Sequence, residues 1–163
     1  MALQLQSKFL PAPDQIVFIA CSGGLDSVVL TYLMKELNYK VHLLHVNYHL
    51  RGEDSNLDQH SVEALAKGWA LNCSVLEFSM PQFLQENKAN LQDKARSVRY
   101  KFFAQKMKDE PNSVLLTAHH KDDQLETFFM NLSRKASVFS LEGMRLQKGR
   151  LYRPLLPFTK KEI

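Results

Sequence analysis

Cysteine is scarce: the 163-residue chain has two, Cys21 and Cys73, far apart and in no C-x-x-C pair. That spacing argues against a zinc ribbon, an iron–sulfur site or a disulfide framework. Both read as small apolar residues, one at a strand end and one at a strand start. Long apolar runs are missing too, and none approaches the roughly 18 residues of a membrane-spanning helix. The amino-terminal "MALQLQSKFLPAPDQ" has neither the charged start nor the continuous apolar core of a secretory signal. A cytoplasmic protein is expected. Neither repeats nor low-complexity segments occur. Charge of one sign is only slightly in excess, 21 Lys and Arg against 17 Asp and Glu, a formal net charge of +4. That balance is compatible with a polyanionic partner without requiring one.

What is present is the alternation of an α/β protein. A length of 163 residues suits one domain, read as residues 1–163 with about the first 14 as an extension. Buried strands are expected at Ile16–Cys21, Lys40–Asn47, Cys73–Phe78 and Ser113–Ala118, with a short fifth in "LYRPLL". A first helix should run from about Leu25 to Leu37, burying Val28, Val29, Leu33 and Leu37. A second should open on a capping-box variant at Ser55–Asp58 and bury Val62, Leu65, Ala66 and Trp69. "SMPQFLQEN" reads as a loop. Asn90 caps a third helix with Leu91, Ala95, Val98, Phe102 and Lys106 at helical spacing, and "KDDQLETFFMNL" forms a fourth. The fold class is thus a doubly wound, mainly parallel five-stranded sheet with helices on both faces. Thr159 and Glu162 have T-x-x-E capping form, so a helix is expected to begin there, as in the front portion of a longer protein.

One turn breaks the first strand abruptly. "IVFIACSGGLDSVVL" passes from strand to helix through Ser22-Gly23-Gly24. Two glycines let the backbone turn tightly and approach a ligand with its N–H groups. The helix starting near Leu25 adds its positive end, and Ser22 and Ser27 can donate hydroxyl hydrogen bonds. No Walker A ending and no G-x-G-x-x-G pattern is present, so a generic strand–helix turn is the alternative. Asp26 favours the phosphate reading, because a carboxylate beside phosphates calls for a cation, and Mg²⁺ on the nucleotide is the natural one.

"SGGLDS" (Ser22–Ser27) resembles the SGGxDS loop of the N-type ATP pyrophosphatases, or PP-loop superfamily, which split ATP between its α and β phosphates. Three further stretches narrow the resemblance: "HVNYHLRGEDSNLD", "NLQDKARSVRYKFF" and "LLTAHHKDDQLETFFMNLSR". With "RPLLPFTKKEI" they are similar, in order and spacing, to the catalytic domain of the bacterial tRNA(Ile)-lysidine synthetases, from Ile16 onward. His119 and His120 should end a strand, with Asp122, Asp123 and Glu126 in the first turns of the next helix. Asp123 and Glu126 share a face. By residue type alone this cluster can complement a helix dipole, hold zinc, or serve Mg²⁺ or a substrate amine.

The resemblance implies an adenine nucleotide alpha hydrolase-like fold and ATP-dependent ligation of free L-lysine to a cytidine in the tRNA(Ile) anticodon arm. Ser22, Gly23, Gly24, Leu25, Asp26 and Ser27 would hold the ATP phosphates, with Asp26 serving Mg²⁺. Asp123 and Glu126 would receive the lysine ammonium, while His119 and Arg99 would contact nucleotide or base. Arg51, Arg96 and Arg134 would touch RNA. Full-length family members carry further tRNA-recognition domains and are often dimeric, so a homodimer is among the assemblies implied. The chain departs from the family's usual glycine-containing loop at Lys135, Ala136, Ser137 and Ser140, and a different loop shape is expected there. Two other readings stay open: another adenylating enzyme of the superfamily such as a tRNA thiolase, or a non-catalytic nucleotide-binding module.

Overall fold

The computed structural model describes residues 10–87, 90–133 and 143–163. Arg134, Lys135, Ala136, Ser137 and Ser140 lie outside them, and so do the expectations placed on those residues. In chain order the elements are β1 (Ile16–Ala20), α1 (Leu25–Glu36), β2 (Lys40–Asn47), α2 (Glu53–Gly68), β3 (Asn72–Glu77), α3 (Met80–Glu86), α4 (Leu91–Asp109), β4 (Ser113–Leu116), α5 (Lys121–Ser133), β5 (Gln147–Lys148) and β6 (Leu151–Tyr152).

The sheet runs β3-β2-β1-β4-β6-β5, parallel throughout except for the β5–β6 hairpin. β1 lies inside it, paired with β2 from Ile16↔Lys40 and with β4 from Ile16↔Ser113. Strands buried on both faces need apolar residues in succession, and "IVFIA" and "SVLL" supply them. Val17 and Ile19 join Leu30 and Met34 of α1 and Val62 and Ala66 of α2 in one core. Phe18 and Leu44 join Phe102 and Phe103 of α4 in the other. Helices therefore cover both faces. The chain fills one side of β1 with β2 and β3, then crosses behind α4 to place β4 on the other side. Strand order reverses between β1 and β4, and that is where such a sheet opens a ligand crevice at its carboxyl edge.

Several expectations are corrected. "MPQFLQE" is a helix, α3, with Pro81 in its first turn where the missing N–H costs nothing. α2 opens two residues before Ser55, on Gly52, and the Ser55 hydroxyl accepts the Arg51 amide at 3.0 Å. α1 buries Ser27, Leu30, Thr31 and Met34, while Leu37 is largely exposed. Leu91 of α4 is exposed as well, and Phe102 and Phe103 carry that helix's burial. The "LYRPLL" strand shortens to Leu151–Tyr152, and β5, two exposed polar residues, makes a sixth strand. Thr159 and Glu162 close a turn, the Thr159 amide donating to Glu162 Oε2 at 2.7 Å, but residues 160–162 are turn and not the expected helix.

Candidate active site

The turn between β1 and α1 is held from behind. Gly23 sits at φ +87°, a backbone region that side chains rarely occupy. Gly24 takes the N-cap position with no side chain capping the helix. The first amides of α1 therefore precede any intrahelical bond, with the helix's positive end behind them. Ser27 is buried, and its hydroxyl donates to the Gly24 carbonyl at 2.8 Å, so it shapes the turn instead of reaching outward as expected. Ser22 stays exposed, its Oγ accepting the Gly24 amide at 3.3 Å. His45 of β2 is buried beneath the turn, where its Nδ1 donates to the Cys21 carbonyl at 2.9 Å.

Across the crevice, the chain leaves β4 through Thr117–His120 and enters α5. His120 is buried, and its ring stands between two carboxylates: Nε2 lies 3.6 Å from Asp26 Oδ2, and Nδ1 lies 3.6 Å from Asp123 Oδ2. The His120 amide donates to Asp123 Oδ2 at 2.8 Å, and the Asp123 amide donates back to His120 Nδ1 at 3.4 Å. This is a capping box built from histidine and aspartate. Because Nδ1 accepts, the proton of the neutral ring belongs on Nε2, facing Asp26. The other oxygen of Asp26, Oδ1, is buried with no partner among the described residues.

The remaining acids divide by role. Asp122 Oδ2 accepts the Lys160 amide at 3.0 Å and ties the 158–163 segment to the start of α5. Glu126 is exposed on α5, three residues beyond Asp123 and on its face. His119 packs beside them, its Nδ1 2.8 Å from Thr117 Oγ1. Burial holds His119 below the usual imidazole range, aided by Arg153, Arg99 and Arg96 and opposed by Asp123. It is therefore neutral near pH 7.

A cavity of about 260 Å³ adjoins the turn, between the carboxyl ends of β1 and β2 and the α4 residues Arg99 and Phe103. The Tyr48 hydroxyl donates to the Ala95 carbonyl at 2.7 Å and fixes α4 across it. Arg51 lines the same cavity but is ion-paired with Asp58, and Arg96 lies over the Tyr100 ring at 5.0 Å and does not line this cavity.

The profile of the PP-loop domain matches residues 1–163 of this chain. The chain belongs to the PP-loop family. Among curated proteins it is 35% identical over 160 residues to the tRNA(Ile)-lysidine synthase of Bacteroides thetaiotaomicron, covering 98% of this chain and 37% of that protein. It is 35% identical over 154 residues to the tRNA(Ile)-lysidine synthase of Bacillus subtilis strain 168, covering 90% of this chain and 33% of that one. The chain thus spans about a third of the length of these relatives. Of solved structures, the NH3-dependent NAD synthetase of Campylobacter jejuni superimposes with a TM-score of 0.64 at 16% identity, over 97% of this chain and 65% of that one. The NMN synthetase of Francisella tularensis does so with a TM-score of 0.59 at 14% identity, over 92% and 58%. At such identities the likeness is one of fold.

The PP-loop fold thus brings together, of the residues singled out in the sequence, the Ser22–Ser27 turn, Asp26, Asp123 and His119. Glu126 stands one turn further along α5, and Arg99 stands at the neighbouring cavity. Two residues escape a reading of the sequence, and for a third, His120 of the named cluster, only its position does. His120 is indistinguishable by type from His119, and only the fold puts it between Asp26 and Asp123. Tyr48 acts through a bond to a residue far along the chain. Arg153 is buried, and its one sequence signal is an arginine inside the apolar run "LYRPLL".

Proposed function

We propose that this PP-loop domain carries out the ATP-dependent ligation of lysine to C2 of a cytidine in the anticodon of tRNA(Ile), forming lysidine. The observation that carries the reading is the meeting of Asp26, from the phosphate turn, with the His120–Asp123 pair at the strand-order reversal. The names of the relatives supply the substrates. In the first step the C2 oxygen of the base bonds to the α-phosphorus of ATP, and pyrophosphate leaves. In the second an amino group of lysine bonds to C2, the C2–O bond breaks, AMP departs, and the amine gives up its proton.

Mg²⁺ suits the donors here. Asp26 offers a buried carboxylate oxygen without a partner beside the turn. Among the described residues no three His, Cys, Asp or Glu converge as a centre held by protein ligands alone would need. Mg²⁺ instead takes one or two carboxylates, with phosphate oxygens and water completing its shell. When bound with ATP it neutralises charge on the phosphates.

The chain's own groups do the rest. The amides at the start of α1 would cradle phosphate oxygens, and Asp26 would hold the ion. Asp123 and Glu126 meet the lysine ammonium and favour its approach. His119, kept neutral, adds no positive charge to repel that ammonium and can hydrogen-bond nucleotide or base. Arg99, beside the cavity next to the turn, suits phosphate or base with its planar fork. Thiolation has poor candidates, since burial chiefly, with Cys21 and Glu63, pushes the Cys73 thiol up to about 11 and keeps it protonated.

The test is multiple-turnover pyrophosphate release that requires tRNA(Ile) and is sustained only when lysine is present to discharge the adenylated base. Asp26→Asn should fold normally by circular dichroism yet lower that release by ~10²–10³, the usual cost of removing a charge aimed at a transition state. Turnover near that of the parent would remove Asp26 from the mechanism.

A further inference from the structure

A second concavity, of about 660 Å³, lies between α4 and the β5–β6 hairpin. Its floor is apolar, formed by Phe103, Leu115 and Leu151, and its walls carry Arg96, Lys148, Arg150 and Arg153 against a single acid, Asp93. Arg150 is committed to structure. Its Nε donates to the Ser113 carbonyl at 2.6 Å and its Nη2 to the Glu110 carbonyl at 2.9 Å, pinning the hairpin against the end of α4.

Arg153 is not fully satisfied. It is 8% exposed, its Nη1 donates to the Arg145 carbonyl at 2.7 Å, and its Nε is buried with no partner among the described residues. A buried guanidinium donor left unpaired is costly, and an acceptor from outside the protein would relieve it. Burial holds Arg153 below its ordinary range, opposed by Tyr100, which also hydrogen-bonds its guanidinium, and aided by nearby Arg96. The Thr117 amide donates to the carbonyl of Tyr152, the residue before Arg153, at 3.1 Å, and His119 Nδ1 lies 2.8 Å from Thr117 Oγ1, so this end of the groove adjoins the candidate active site. Like charges gathered around an orphan donor call for an anion, and the apolar floor beneath calls for a flat ring attached to it.

We propose that this groove binds a single-stranded RNA nucleotide next to the base being modified. Its phosphate would lie on Arg153, Arg96 and Lys148, and its unstacked base on the apolar floor. The inference rests on the RNA-modifying reading above and names the surface by which the RNA approaches. The ligand class is a phosphodiester, distinct from the phosphates of ATP held at the Ser22–Ser27 turn.

The test is fluorescence anisotropy of the 163-residue chain with a labelled single-stranded oligoribonucleotide, titrated over a range of salt. Lys148→Gln and Arg96→Gln should each weaken binding several-fold and flatten the log–log salt dependence by about 0.7, the loss of one phosphate contact to a single strand. Arg153→Lys keeps the charge but loses the Nε donor, so its affinity should fall with the slope unchanged. Should Arg153→Lys fail to fold by circular dichroism, the two glutamine variants carry the test. Lys148→Gln should leave ATP affinity unaltered, and millimolar ATP or inorganic pyrophosphate should not displace the RNA.

Three outcomes overturn the groove: no RNA binding by the parent at low salt, unchanged slopes in both glutamine variants, or displacement by ATP or pyrophosphate. Flattened slopes without lysine-dependent pyrophosphate release would keep the groove and remove the lysidine reading. Lysine-dependent release with unchanged slopes would do the reverse.

Discussion

Asp123 serves two purposes with its two oxygens. Oδ2 accepts the His120 amide and completes the cap of α5, a bond in which Oδ1 takes no part. Glu126, exposed and three residues on, has no such structural duty. The two acids should therefore separate under substitution. Glu126→Gln keeps size and fold, and should raise the KM for lysine while leaving ATP affinity and melting temperature near those of the parent. Asp123→Asn retains an oxygen able to accept the His120 amide, so it should behave like Glu126→Gln. Asp123→Ala should in addition lose ~1 kcal/mol of stability with the cap. Lysine titrations of pyrophosphate release, paired with urea denaturation, give both readouts. Equal loss of ATP and lysine affinity in Glu126→Gln would assign that carboxylate to the nucleotide instead.

α4 is the element that carries both arginine-bearing surfaces, Arg99 at the cavity beside the turn and Arg96 at the groove. Its start is fixed by Asn90, whose side-chain oxygen accepts the Gln92 amide at 2.9 Å and the Asp93 amide at 3.2 Å. Asn90→Ala should cost ~1 kcal/mol of global stability, read from urea denaturation. The same cap was legible in the sequence, because asparagine before an amphipathic run has a single physical use there. The principal strands were legible for a similar reason: apolar residues in unbroken succession fit only positions covered on both faces. Shorter elements were not. α3 is seven residues with a proline, and β5 is two exposed polar residues whose pairing depends on β6 and not on any pattern of their own. The buried face of α1 was misassigned because two of its four buried residues are Ser27 and Thr31. Ser27 donates to the Gly24 carbonyl, and Thr31 donates to the Ser27 carbonyl at 2.7 Å, so both are buried without an apolar signature. At the site, motif residues could be named from spacing, whereas the bridging position of His120 and the orphan donor of Arg153 depend on strand order.

At the scale of the whole molecule, charge sets what these 163 residues can do with RNA. A formal net charge of +4 is modest for a partner with one phosphate per nucleotide. Of the cations described at the crevice and at the groove, Arg51 is occupied by Asp58 and Arg150 by backbone carbonyls. Affinity for RNA grows with the number of phosphates neutralised, since each contact releases counterions. On the proposed reading ATP, by contrast, would be held by the turn, Asp26 and the adjoining cavity, all of which lie within this chain. ATP·Mg²⁺ affinity should therefore be the same for the 163 residues alone and for the same residues joined to the rest of the Bacteroides thetaiotaomicron relative. Lysine incorporation into tRNA(Ile) should rise strongly on joining, with the gain appearing in the KM for tRNA and in discrimination against non-cognate tRNA. Titrating ATP and following radiolabelled lysine into cognate and non-cognate tRNA, side by side for both proteins, measures each term. Efficient and selective incorporation by the 163 residues alone would mean that their sparse cations read the anticodon arm unaided. The groove between α4 and the hairpin would then have to supply the discrimination.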